Sequence, residues 1–407
     1  MSEYLRKQSF LPQLIKEVPN PNLEFVIVIP SYDEPDLHET LNSLLECDLV
    51  GLENSFEVIV VFNFGETDSK ALKRNSDNHV FSLSRDFAVQ KIPMHFCLAA
   101  DLPKKHAGVG LARKIGMDEA CRRFERIGYE NGVIVCLDAD CKVEQNYFQA
   151  IANFYKQNPK CNSANVYFEH PFDINKNEII NYEIFLRFYI ECLRRTKYPW
   201  AFHTIGSCIT VKHKIYQKQG GMNRRKAAED FYFLHKIMPL GNFYEINSTT
   251  VFPSARISER VAFGTGRAIM EDIEGKKDFS LTYDPFIFEI IELLFTNVKE
   301  LYETGRIYML TGLIEPYLYE IKFYENVEQI KQNTKTYESF ALRYFKFWDG
   351  LKVLKLIHHL RDEYIPNIEI EKAFEKLYPN AKCLNNEEIL LYLRKCQKEY
   401  KHFPKVI

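Results

Sequence analysis

Short apolar runs punctuate the first 140 positions, and amphipathic stretches fill the intervals between them. Residues 25–29 (FVIVI) form a continuous β-branched and aromatic run, the pattern of a strand covered on both faces. PSYDEP follows as a turn, and Asp36 with Glu39 three residues on predicts a helix start with an acidic N-cap and an acidic N3. Leu37, Leu41, Leu44 and Leu45 then give that helix one apolar face. Residues 57–62 (EVIVVF) and 95–99 predict two further strands, and 110–124 a helix with Ala112, Ile115 and Ala120 inward. A fourth strand, 133–137 (VIVCL), runs straight into Asp138-Ala139-Asp140. Strands alternating with helices at this spacing predict an α/β fold with a mostly parallel sheet, whose ligands bind at the carboxyl ends of the strands.

Between 145 and 252 the pattern is mixed, with a helix near 178–197, a short strand at 208–211, and Glu229-Asp230 opening another helix. After about residue 275 helical periodicity takes over. It runs through Ile287, Ile290, Ile291, Leu294, Val298 and Leu301, then Phe340, Tyr344, Phe347, Leu351 and Leu354, then Ile389, Leu393, Cys396 and Tyr400. Three parts are expected: an N-terminal extension (1–23), an α/β domain (24–274) and a helical C-terminal region (275–407).

Composition narrows the function. At 407 residues, 46% hydrophobic and 27% charged, the chain is globular. Lys plus Arg (53) nearly balance Asp plus Glu (55), which argues against a dedicated nucleic-acid binder and for a substrate other than a polyanion. The ten cysteines include no CxxC pair, and the N-terminus lacks an apolar secretory core, so a cytoplasmic chain with reduced thiols is expected. No run of about 18 apolar residues occurs.

Asp138 and Asp140 stand one residue apart at a strand end. On an extended segment both side chains point the same way, and paired carboxylates suit a hard divalent cation that in turn holds a diphosphate. The alternative is a polar turn in which each Asp caps backbone N–H groups. Glu229-Asp230 at a helix start is explained either by the helix dipole or by a general base aimed at an acceptor hydroxyl. His106-Ala107-Gly108-Val109-Gly110 with Arg113 lacks the third glycine of a dinucleotide loop and does not follow the first strand. The segment 253–267, with Arg256, Arg260 and Arg267, is a glycine-punctuated basic loop suited to neutralising a diphosphate or to surface ion pairs. Residues 183–195 (EIFLRFYIECLRR) read as a core-facing helix, with peripheral contact to a membrane surface or a lipid-linked acceptor as the other reading. His170, His203 and His213 are isolated and read as structural.

Taken together, FVIVIPSYDEP, EVIVV, HAGVGLARKIGMDEA, VIVCLDAD, IGSCITVKHKIYQKQGG and AAEDFYF, in that order, resemble the family 2 glycosyltransferases of GT-A fold over about residues 24–270. The resemblance implies transfer of a sugar from a nucleotide sugar to an acceptor hydroxyl, with inversion. It implies that Pro30, Ser31, Tyr32, Asp33 and Glu34 cup the nucleotide. Asp138 and Asp140 match the family's DXD, which would ligate Mn²⁺ or Mg²⁺ and the donor diphosphate. Glu229 and Asp230 match its ED pair, with Asp230 as the base. Lys104, Lys105, His106 and Gly108 would approach the nucleotide, Arg113 would support the metal loop, and Arg256 and Arg260 would meet the diphosphate. One position departs from the pattern: where the family places an Asp at the end of the second strand to read the nucleobase, this chain has Asn63. That leaves UDP- and GDP-sugars both open. The expected acceptor is a carbohydrate or lipid-linked molecule, with the protein at the inner face of a membrane as one setting. Two rivals are weighed against this reading. A sugar-1-phosphate nucleotidylyltransferase should carry a Gly-rich basic loop directly after the first strand, where PSYDEP stands. A non-catalytic carbohydrate-binding protein on a degenerate transferase fold should have lost the carboxylates.

Overall fold

β1 (Phe25–Ser31) and β2 (Phe56–Gly65) are buried along their whole length, as continuous apolar runs require. The computed structural model describes residues 1–258, 264–308, 312–383 and 385–400. Two further strands, β3 (Met94–Leu102) and β4 (Val133–Cys136), continue the parallel half of the sheet. The other half adds β5 (Lys142–Val143), β6 (Ser163–Phe168), β7 (Ile209–Lys212) and β8 (Phe243–Phe252), giving the order 3-2-1-4-7-6-8-5. Only β5 and β7 run against the other six. The expected α/β architecture, a mostly parallel sheet flanked by helices with a helical C-terminal region, is the one observed.

In chain order the helices begin with α1 (Glu3–Gln8), α2 (Leu37–Leu45), α3 (Lys70–Asp86), α4 (Val109–Ile127), α5 (Tyr147–Gln157), α6 (Lys176–Arg195), α7 (His213–Lys218) and α8 (Glu229–Ile237). The chain divides into two units: residues 1–174 with 204–267, which hold the sheet, and residues 175–203 with 268–400, which are helical and include α6. Asp36 does take the N-cap position of α2, but its side chain makes no capping bond and pairs with Arg256 instead. Pattern reading passes over α3, β6 and β8 for a physical reason. α3 buries only Leu83. β6 and β8 carry polar residues inside; on β6, Ser163 Oγ donates to the carbonyl of Thr210 on β7 at 2.6 Å, and the Ala164 carbonyl accepts from Thr210 Oγ1 at 2.9 Å.

In the sheet unit the N-terminal segment lies along α4 as a strap. The Ser2 N–H donates to Glu125 at 2.8 Å, the Leu14 and Ile15 N–H groups to Glu119 at 3.2 Å each, and Arg122, Arg123 and Arg126 donate to the carbonyls of Leu11, Glu17 and Lys16. Tyr4 reaches further in: its hydroxyl donates to Asp118 at 2.7 Å and accepts from Lys114 at 2.6 Å. The charged face of α4 is thus spent on backbone groups that have no strand partner.

The helical unit continues with α9 (Thr265–Ile273), which straddles the division, α10 (Pro285–Thr296), α11 (Val298–Thr304), α12 (Glu315–Glu320), α13 (Phe323–Gln332), α14 (Tyr337–Phe347), α15 (Gly350–Glu363), α16 (Ile370–Leu377) and α17 (Asn386–Glu399). A two-residue strand pair, 281–282 with 368–369, interrupts it. The run from Phe340 to Leu354 is two helices, broken where Asp349 accepts the Lys352 N–H at 2.9 Å and caps α15. The buried face of α15 is accordingly Val353, Leu356, Ile357 and Leu360, not Leu351 and Leu354. α6 faces the core, as its first reading had it. Glu183 accepts from Arg187 Nε at 2.7 Å and from Arg394 Nε and Nη2 at 2.7 and 2.8 Å, and Arg187 donates to Gln397 at 2.6 Å. Among the described residues no helix is long and apolar enough to cross a membrane.

Two predictions follow from burial. Glu183→Gln leaves two guanidinium groups without their carboxylate, so the urea midpoint should drop by the equivalent of about 3–5 kcal/mol; a loss under about 1 kcal/mol would mean the network is solvated. The second concerns histidines. Burial pushes His203 down to about 3 and His213 down to about 4, so the unfolded chain binds protons that the native state refuses. Their stabilisation is complete above the unfolded value of about 6.5 and is lost as pH falls, by up to ~1.4 kcal/mol per unit for each histidine. Urea midpoints should therefore decline less steeply from pH 7 to 4.5 in His213→Gln than in wild type, and parallel lines would remove His213 as a source.

Candidate active site

Arg113, on the first turns of α4, is buried to 1% exposure and holds two of the expected motifs together. One guanidinium nitrogen donates to Asp138 Oδ1 at 2.5 Å, and the other contacts Glu229 Oε1 directly. Gly206 backs this group: a Cβ there would stand 2.7 Å from Arg113 Nη2, so the IGSC segment must carry glycine. Burial opposes the charge on Arg113, but Asp138 and Glu229 outweigh it and push its pKa up, so the guanidinium stays ionised.

The DXD segment does not extend β4 as the spacing argument assumes. β4 ends at Cys136, and Asp138 to Cys141 form a turn in which the Cys141 N–H donates to the Asp138 carbonyl at 3.2 Å. α2 fastens this turn through Thr40 Oγ1, which donates to the Ala139 carbonyl at 2.8 Å. The two carboxylates nonetheless feel one another. Burial first, then Asp138 and Glu34, push Asp140 up to about 7, against the pull of Arg256. Arg256 donates to Glu34 at 2.6 Å and lies 3.3 Å from Asp36, so Glu34 and Arg256, read separately in the sequence, form one pair.

Asp230 sits beside Glu229 at the start of α8. Its carboxylate accepts the Phe231 N–H at 2.7 Å. Burial raises its pKa, Arg113 and the Phe231 N–H oppose, and Asp138 adds to the rise. Glu229 is raised by burial and by Asp230 and Asp138, while its contact with Arg113 holds it down.

The structure therefore brings together Glu34, Arg113, Asp138, Asp140, Glu229, Asp230 and Arg256. Pro30 and Ser31 are buried at the end of β1, and Ser31 Oγ has no hydrogen-bond partner, an orphan directed by β1 at the carboxyl edge. Tyr32 is exposed, and Asp33 takes a left-handed φ of 46° in the following turn. Asn63 is buried at 5% on β2 and makes no hydrogen bond to the carboxylates. Lys104, Lys105 and His106 lie on the turn between β3 and α4, and Gly108 is the N-cap of α4, facing the Lys226 backbone. Arg260 lies outside the described residues. His170 donates to or accepts from Thr265 at 3.0 Å, His203 likewise pairs with Gln397, and His213 with the Tyr129 carbonyl. A cavity of about 460 Å³ lined by Leu23, Glu53, Ser55 and Tyr129 opens at the opposite, entering ends of β1 and β2, away from this chemistry.

Five carboxylates face two guanidinium groups in this cluster, an excess of hard oxygen donors of the type a divalent cation takes. Among the described residues no three His, Cys, Asp or Glu side chains already converge on one point. Asp138 and Asp140 would thus supply part of a cation's shell and leave the rest to a bound phosphate or water. The residues present fit such an ion in charge and ligand type.

No protein-family model matches the sequence, and no curated protein matches it. Among solved structures, residues 1–349 of S. aureus TarS in complex with UDP-GlcNAc align at a TM-score of 0.41 and 13% identity, over 85% of this chain and 99% of that one. The same fragment with UDP gives 0.39 and 14%, over 87% and 92%. GalNAc-T7 with UDP, GalNAc and Mn²⁺ gives 0.38 and 12%, over 84% and 58%. Likeness at this level carries nothing about activity, donor or metal.

Proposed function

We propose that this chain is a nucleotide-sugar-dependent glycosyltransferase of GT-A type, akin to family 2, with residues 24–274 as its catalytic part. The observation that carries the reading is Arg113, whose one guanidinium joins the DXD carboxylate Asp138 to the ED carboxylate Glu229. Motifs about ninety residues apart are held as a unit, which a surface turn and an unrelated helix cap would not need.

In this reading Asp230 accepts the proton of the acceptor hydroxyl. The acceptor oxygen bonds to the anomeric carbon as the bond from that carbon to the diphosphate oxygen breaks, which inverts the centre. A carboxylate whose pKa is raised by burial is a stronger base than a solvated one, and the Phe231 N–H fixes its direction. Glu229, held by Arg113, sets the start of α8 and hence where Asp230 stands. Asp138 and Asp140 would hold Mn²⁺ or Mg²⁺, which supplies positive charge against the departing diphosphate when bound. Ser31 and Asn63 would meet the nucleoside of a UDP- or GDP-sugar, Pro30, Tyr32 and Glu34 would shape its cup, and Lys105 and Gly108 would lie along its edge. Arg256, now paired with Glu34 and Asp36, has a side chain 30% exposed and so able to meet phosphate oxygens.

Asp230→Asn should lower kcat for nucleotide release by about 10²–10⁴-fold. Its donor affinity, read by calorimetry, should stay within about twofold of wild type. Undiminished turnover would take the base role from Asp230. Metal dependence has its own readout: with Mn²⁺ present, one of a panel of UDP- and GDP-sugars should raise the melting temperature, by about 2.7 kcal/mol of stabilisation at a hundredfold excess over Kd. EDTA or Asp138→Asn/Asp140→Asn should abolish that shift, and a shift indifferent to EDTA would end the metal claim.

A further inference from the structure

Beside the acidic centre lies a basic rim, and of its cations the reaction just described uses only Lys105, at the edge of the nucleotide. It is built from two loops, 103–108 (PKKHAG) and 222–228 (MNRRKAA), that meet although over a hundred residues separate them. His106 Nδ1 lies 3.3 Å from the Arg224 carbonyl, Gly108 leaves room only for the Lys226 backbone, and Gly110 admits both the Arg225 carbonyl and Glu229. The side chains of Lys104, Lys105, Arg224, Arg225 and Lys226 are all exposed. None of the five makes an ion pair among the described residues, whereas Arg113, Arg122 and Arg123 of the adjoining helix each do.

Two of these cations are pre-set. The Arg225 guanidinium lies 3.9 Å from the Tyr232 ring centre and that of Arg224 5.5 Å from Phe10. Stacking occupies the flat face of a guanidinium and leaves its N–H edge for an oxyanion. The second loop runs directly into Glu229 and Asp230, and Tyr232 is two residues past the base.

We propose that the rim receives an acceptor bearing several phosphate groups and guides the hydroxyl next to them toward Asp230. This rests on the transferase reading for the role of Asp230. Four unpaired cations besides Lys105 exceed what one phosphate needs, so the ligand carries more than one anion. A lipid surface fits less well, because neither loop exposes a large apolar side chain to insert. Nucleic acid also fits less well, since the two rings that border the rim are already covered by guanidinium groups. The near-neutral charge of the whole chain, which argues for a substrate other than a polyanion, averages this local excess away.

The test uses the full chain and fluorescently labelled short-chain inorganic polyphosphate, read by anisotropy over a salt series. Arg224→Gln/Arg225→Gln/Lys226→Gln should weaken binding by about tenfold or more and reduce the slope of log K against log salt by about 2. Arg224→Lys/Arg225→Lys, which keeps the charge, should stay within about threefold of wild type, which separates charge from a folding defect. The nucleotide-sugar melting shift should be the same in all three proteins. No binding by wild type, or equal binding by the triple variant, overturns the proposal. So does loss of the donor shift with polyphosphate binding intact, which would give these cations to the donor. Tighter binding to phosphatidylcholine–phosphatidylglycerol vesicles than to polyphosphate overturns it in favour of a membrane surface. If no nucleotide sugar shifts the wild type while the triple variant still loses polyphosphate, the transferase reading fails and the rim stands as an anion site without an acceptor role.

Discussion

One buried cation organises the sheet unit. Arg113 has been taken out of water, and that step is tolerable only because Asp138 and Glu229 meet it at once. The dependence is mutual. Without the guanidinium, Glu229, Asp230, Asp138 and Asp140 would face one another as like charges. The constraint spreads outward from there: Gly206 must be glycine to admit the side chain, Thr40 must hold the Asp138 turn, and the loop before α8 must bring Glu229 to a fixed point. Geometry that looks like several small motifs is one electrostatic arrangement.

The helical unit solves a similar problem with another set of residues. Glu183, fully buried on α6, is shared between Arg187 of its own helix and Arg394 of α17. Apolar periodicity is what makes both segments helical, but it does not fix which helix meets which. A shared carboxylate does, because only one pairing leaves no buried charge alone.

Much of this was readable in the chain itself. β1, β2 and β4 announce themselves as apolar runs because both faces are covered. Asp138 and Asp140 stand out because carboxylates directly after such a run have no role in a core, and Glu229 and Asp230 as an acidic pair opening a helix. What was not readable depends on partners distant in sequence. β6 and β8 hide because buried Ser163 on the one and buried Thr249 and Thr250 on the other look like loop residues until the strands beside them are seen. Asp36 and Glu34 read as local features of a helix start and a turn, yet both answer to Arg256, some 220 residues on. The run Arg224-Arg225-Lys226 looks like any solvated loop. Its meaning comes from the turn at Lys104 and Lys105, which only the fold puts beside it.

The strap along α4 has a consequence for the order in which the molecule assembles. Its contacts span roughly a hundred residues or more, from 104 between Ile15 and Glu119 to 123 between Ser2 and Glu125. Closing loops of that size is slow relative to forming a helix or a hairpin, so the strap's backbone groups stay hydrated until α4 already lies on the sheet. Tyr4 abuts Gly221, and Phe10 underlies Arg224. The loop that leads to Asp230 is therefore braced from outside by a segment that docks late, and the site is finished after the scaffold that carries it.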